Sequence, residues 1–289
     1  MAETKRQKVT AILNSPLGYK YKLTIMYNYK GENTNKMVED STFYIGNPKT
    51  KLNEACITIA VTHIKRMALS DPTIANLILV KYYETCSENK GLKRGEGTVD
   101  MMNTAMSFVK QVCPFIQAFK LNDSSAKTCD NGATISLPAF YITQKGKTWY
   151  EEQFGAHLIE PYHSAYRTRI HEVMNMQIDS IDSFMEEYIY GTSTSNISLD
   201  MIRSLYKPNM TVGDFFKMLY ATHNKSVACE LLQPWIDIFI KKVGLLHAIM
   251  GEWYIPADRI APYPFPNTNK SLSIRRTRKR DPWNNSNLQ

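Results

Sequence analysis

Residues 91–102 read Gly-Leu-Lys-Arg-Gly-Glu-Gly-Thr-Val-Asp-Met-Met and gather three of the chain's thirteen glycines into seven positions. Gly95 and Gly97 stand among Lys93, Arg94, Glu96 and Thr98. Glycines allow positive φ and let a backbone approach a ligand closely. A helix opening at Thr98 would add unpaired N–H donors and roughly half a unit of positive charge. This is the chemistry of a phosphate cradle. Spacing speaks against two known cradles. No lysine follows Gly97, as a triphosphate-binding loop requires, and Asp100 occupies the third-glycine position of the pattern G-x-G-x-x-G.

Other reactive residue types form no comparable pattern. His157, His163 and His171 lie near Glu160 and Glu172, but no two histidines are spaced i,i+4 and there is no HExxH, so no metal is expected. The five cysteines (56, 86, 113, 129 and 229) include no CxxC pair. Their odd count and irregular spacing argue against a disulfide framework or a zinc site and fit a reducing, intracellular compartment. Neither Cys113 nor Cys129 sits in a nucleophile motif. Asn122-Asp123-Ser124-Ser125 reads equally as a substrate-binding cluster and as an Asx turn.

The elements that position these residues follow from periodicity. Residues 19–29, 41–45, 55–64 and 75–83 predict four strands, by alternation, aromatic content or β-branched density. Apolar residues at 101, 105, 108, 109 and 112 predict a helix that Pro114 stops. Residues 115–121 predict a fifth strand. A second helix is expected from an N-cap at Ser136, with Pro138 in its first turn, running to Gln153 unless Gly146 breaks it. Residues 162–176, 181–190, 199–206, 212–221 and 227–252 carry helical spacing, and 192–196 read as a linker. The fold class is α+β: an arm over 1–18, an α+β domain over 19–160, a helical domain over 161–255, and a proline-containing linker with a basic tail over 256–289.

The net charge is +8, of which residues 270–289 hold +5. The body is near neutral, and residues 270–280 are a candidate contact for nucleic acid or another polyanion. The most apolar stretch, residues 231–253, is interrupted by Asp237, Lys241, Lys242, His247 and Glu252, so no membrane span is expected. The apolar positions between Trp235 and Trp253 fit a core or a face for a protein partner.

Arg94-Gly95-Glu96-Gly97-Thr98, between a strand and an amphipathic helix, resembles the acyl-CoA pyrophosphate loop of the GNAT superfamily of N-acetyltransferases, Gln/Arg-x-x-Gly-x-Gly/Ala. Gly95 and Gly97 match, whereas Leu92 stands where Gln or Arg is expected. The order strands, loop, helix, fifth strand, helix is similar to that family's. Trp149-Tyr150-Glu151-Glu152-Gln153-Phe154-Gly155 resembles its Leu-Tyr-Glu-Lys-x-Gly-Phe pattern, with the last two residues reversed. Over residues 20–160 the resemblance implies an acetyltransferase-like central mixed sheet flanked by helices. It implies acetyl-CoA held by Lys93, Arg94, Gly95, Glu96, Gly97 and Thr98. It also implies Tyr150 as the acid that protonates the departing thiolate, and Glu84 or Asp123 as the base that takes the amine proton. A fainter resemblance, through GEGTVDMM, FKLNDSSAKTC and GKTWYEEQFGA, is to proteins of large nucleocytoplasmic DNA viruses. It implies a viral protein of the host cytoplasm or virion. The alternative to an enzyme is an inactive protein of the same fold, acting in assembly through its helical domain and basic tail.

Overall fold

The computed structural model describes residues 5–30, 37–46, 55–63, 71, 73–80, 96–130, 132, 134–189, 199–222 and 225–263. The chain is α+β, with sheet strands flanked by helices, and forms two compact units. One comprises Met1–Phe119 with Ile260–Gln289, the other Lys120–Arg259, whereas composition placed a boundary near residue 160.

The first unit is built on an antiparallel meander: β1 (Lys5–Asn14), β2 (Lys20–Lys30), β3 (Met37–Gly46), β4 (Ile57–Thr62) and β5 (Ile74–Val80). Alternation sets the register. Leu23 and Ile25 on β2 oppose Ile45 and Phe43 on β3, which oppose Ile57 and Ile59 on β4, and all six are buried on one face. Helix α1 (Glu96–Val112) packs its buried Met101, Ala105, Phe108 and Val109 toward that face, with Phe108 edge-on to Phe43 at 6.5 Å. Buried within the same unit, Tyr21 Oη donates to Asp100 Oδ2 at 2.7 Å.

The 1–18 segment, expected as an arm, is largely β1. Its turn to β2 closes through Gly18, at φ +84°, whose N–H donates to Ser15 O. The end of the described chain returns to this unit. Tyr263 accepts from Asn14 N–H through its hydroxyl at 2.7 Å, and Ser107 Oγ donates to Ala261 O at 2.6 Å.

Strand β6 (Ala118–Asn122) begins beside β5, where the N–H groups of Gln117 and Ala118 donate to Thr73 O, and carries the chain into the second unit. There β7 (Ala126–Thr128) and β8 (Thr134–Ser136) form a hairpin, followed by α2 (Leu137–Lys145) and α3 (Trp149–Phe154). Ser136 caps α2 as expected. Of the two courses left open after it, a run to Gln153 or a break at Gly146, the chain takes the break: Gly146 adopts the left-handed conformation and Thr148 starts α3 with a capping box to Glu151.

Then come β9 (His157–Leu158), α4 (Tyr162–Asn175), and α5 (Ile181–Phe184), which widens into a π-helical turn over Met185–Ile189. Helices α6 (Leu199–Leu205), α7 (Val212–Thr222), α8 (Lys225–Lys242) and α9 (Leu246–Met250) precede β10 (Glu252–Pro256). Within the unit β10 lies between β6 and β9. Phe184, Phe215, Phe216 and Phe239 stack through ring contacts of 4.9–6.3 Å to form the helical core.

Two expectations are corrected. The helix expected over 227–252 ends at Lys242, because Gly244 turns left-handed at φ +75°, and the last residues form α9 and β10 instead. The cysteines do form disulfides. Cys129 and Cys229 are bonded across 100 residues and Cys56 is also disulfide-bonded, while Cys113 is a buried free thiol. No helix among the described residues is long and apolar enough to cross a membrane.

Candidate functional site

Strand β6 delivers Asp123 at its C-terminal end, and Asn122-Asp123-Ser124-Ser125 folds as the Asx turn its composition allows. Ser125 donates to Asp123 Oδ1 twice, from its backbone N–H at 3.0 Å and from its hydroxyl at 2.5 Å. The other oxygen, Oδ2, is buried with no hydrogen-bond partner among the described residues, and the residue as a whole is 5% exposed. Burial raises the carboxyl above its ordinary value, and the two Ser125 bonds offset only part of that rise. A fixed carboxyl with one unpartnered oxygen and a raised proton affinity has the properties of a general base.

Tyr150 lies on α3, buried, with its ring edge-on to Trp149 at 5.0 Å and tilted against Phe154 at 6.3 Å. Tyr150 packs in this aromatic cluster and Asp123 bonds to Ser125, so each is held by its own surroundings. Helix α1 begins at Glu96, two residues earlier than expected, so Gly97 and Thr98 belong to its first turn, and Thr98 is buried there at 4% exposure. Only the backbone of Glu96 is described; Glu84, Lys93, Arg94 and Gly95 lie outside the described residues, as does the basic stretch 270–280.

Beside Tyr150, Glu151 is a structural hub. Its Oε2 accepts from Thr148 N–H at 2.6 Å and from the Tyr166 hydroxyl at 2.7 Å, and its Oε1 accepts from Arg167 at 3.3 Å. Burial, followed by the Glu151 charge, pushes the Tyr166 phenol upward, so it remains a donor at neutral pH. Glu151→Ala removes the side-chain half of the capping box, the bond from Thr148 N–H, and strands the buried Tyr166 hydroxyl. The expected loss is roughly 2–4 kcal/mol in urea unfolding, with Glu151→Gln intermediate.

His163 Nδ1 accepts from Leu158 N–H at 3.3 Å, which requires a neutral ring, and burial lowers its pKa in the same direction. His157 packs against His163 at 5.8 Å and stacks on Tyr254 at 6.4 Å. These histidines pack β9 against α4 and β10, and no cluster able to hold a metal ion occurs among the described residues.

One feature that the sequence reading did not anticipate is a cavity of about 620 Å³ in the second unit, inside the usual size range of small-molecule sites. Leu158 and Ile159, the α4 face, and residues 242–254 enclose it. The α4 spacing was visible as helical periodicity, but which of its faces stays uncovered depends on chain far away in sequence. No family model, curated protein or solved structure matches this chain.

Proposed function

We propose that the chain is an acyl-CoA-dependent N-acyltransferase, with Asp123 as the base that takes a proton from the acceptor amine. The observation that carries this reading is the carboxyl of Asp123: buried at the end of β6, fixed through one oxygen and with no partner among the described residues at the other. The order antiparallel strands, α1, β6, α2 supports an acetyltransferase-like arrangement, in keeping with the resemblance of the Gly95–Gly97 loop. In this reading acetyl-CoA supplies the acyl group, the amine nitrogen attacks the thioester carbonyl, and Tyr150 is the candidate donor to the departing thiolate.

The second reading is an acetyltransferase-fold protein without activity that serves in assembly. It is favoured by the buried placement of Thr98 inside the first turn of α1. Calorimetric titration of the full chain with acetyl-CoA separates the two. Saturable heat at micromolar to millimolar ligand supports the enzyme; the absence of heat and of any thermal shift at the top of that range selects the second reading.

A further inference from the structure

The body outside the tail is near neutral as a whole, but its charge is unevenly placed. Residues 5–30, strands β1 and β2 with the turn between them, hold Lys5, Arg6, Lys8, Lys20, Lys22 and Lys30 and no aspartate or glutamate. The register sorts four of these cations onto one face. Leu23 and Ile25 are buried on the side toward α1, so by alternation Lys20 and Lys22 stand on the opposite side. Their β1 partners are Asn14 and Ile12, which places Lys8 and Arg6 on that same outer face, beside Met26 and Asn28. Arg6, Lys8 and Lys20 are exposed, and none of the three has an ion-pair partner among the described residues. At ~3.4 Å per residue, the Arg6 and Lys20 rows lie roughly 27 Å apart along the ribbon.

Between the two cation pairs runs a row of Thr10, Thr24, Tyr44 and Thr58, Cα partners across β1 to β4. Tyr44 is the largest side chain of that row and is half-buried. A ring among short hydroxyl side chains is a platform on which a base can stack, and a line of cations tracks a phosphate backbone. Only an unpaired base can lie flat on such a ring. Asp40, the carboxylate in the Arg6 row, accepts from Asn28 Nδ2. The turn end of the ribbon also exposes Ile12 and Leu17, as a membrane-inserting tip would. Such a tip would engage Lys20 and Lys22 alone, whereas a linear polyanion along the ribbon engages both cation pairs and the ring.

We propose that the outer face of β1–β3 binds single-stranded nucleic acid, with phosphates at Arg6, Lys8, Lys20 and Lys22 and a base on Tyr44. This does not depend on acyl transfer. The test is fluorescence anisotropy of the full-length protein with labelled oligothymidylate and oligouridylate of about 20 nucleotides, between about 50 and 200 mM salt. A duplex of the same length and vesicles of equal phosphatidylserine and phosphatidylcholine run in parallel. Either single strand is expected to bind saturably and more tightly than the duplex. Arg6→Gln/Lys8→Gln/Lys20→Gln, all at exposed positions, is expected to lower the slope of log affinity against log salt by about 2 and to remove the preference for single strands. Tyr44→Leu is expected to weaken binding about fivefold or more with that slope unchanged. Lys270→Gln/Arg275→Gln/Arg276→Gln removes the same charge from the tail and is expected to keep the preference. No saturable binding, duplex bound as tightly as single strand, full affinity in Tyr44→Leu, or identical behaviour of the two triple variants would overturn the proposal. Loss of vesicle binding in the β1–β2 variant, with oligonucleotide binding intact, would overturn it in favour of a membrane tip.

Discussion

Asp123→Asn is expected to lower acyl transfer by about 10²–10⁴-fold, the usual contribution of a positioned general base. The variant keeps an oxygen for the two Ser125 bonds, so the turn after β6 should persist. Stability provides a second readout. A carboxyl whose pKa is raised by folding is favoured by the native state when protonated. Its contribution is therefore present at acid pH and is lost as pH rises from the ordinary carboxylate value through the raised one. Asparagine does not titrate. The unfolding free energy of Asp123→Asn relative to the native sequence should therefore increase from acid to neutral pH, as read from urea titrations across that range. A flat difference would mean that the buried carboxyl carries no raised proton affinity.

Removing the Cys129–Cys229 bond is the second large effect. It closes a loop of about 100 residues, for which the lost restriction of the unfolded chain amounts to about 4–5 kcal/mol. The bond anchors the β7–β8 hairpin to α8, and both cysteines are buried. The double variant Cys129→Ala/Cys229→Ala is expected to lower the unfolding free energy of the second unit by that amount and its urea midpoint with it, followed by the fluorescence of Trp149, Trp235 and Trp253. Cys113 is the internal control. Burial pushes its thiol up to about 11, so it should stay unreactive toward maleimide until the protein unfolds. A midpoint unchanged by the double variant would contradict the structural role of the bond.

Where one face of an element is buried along its whole length, periodicity is enough to find it. The alternation of Tyr21, Leu23 and Ile25 on β2 and the spacing of Met101, Ala105, Phe108 and Val109 on α1 are of this kind. Strand β1 escaped because its pattern is weak. Among its described side chains Leu13 alone is buried, and Lys8, Thr10 and Ile12 are exposed. Strand β10 was hidden inside a helical pattern that continues past Lys242, because the left-handed turn at Gly244 comes from backbone conformation rather than hydrophobic spacing.

The disulfide could not be read from five irregularly spaced cysteines, since Cys129 and Cys229 meet only after the intervening helices α2 to α7 have packed. Of the candidate site, Asp123 was legible as a carboxylate at a strand end. Its burial and its unpartnered oxygen depend on packing around that end, which the sequence does not display. The cavity was not legible at all, because residues 158–169 and 242–254 enclose it from opposite ends of the helical region.

The most direct measurement is thiol release from acetyl-CoA by the full-length protein in the presence of a panel of primary amines, including polyamines and lysine peptides, followed from acid to alkaline pH. Acyl transfer through Asp123 predicts amine-dependent release that is low in acid, rises as the carboxyl ionises above its ordinary range, and falls to near background in Asp123→Asn. Release no faster than the protein-free blank with every amine, or release unaffected by Asp123→Asn, would contradict it.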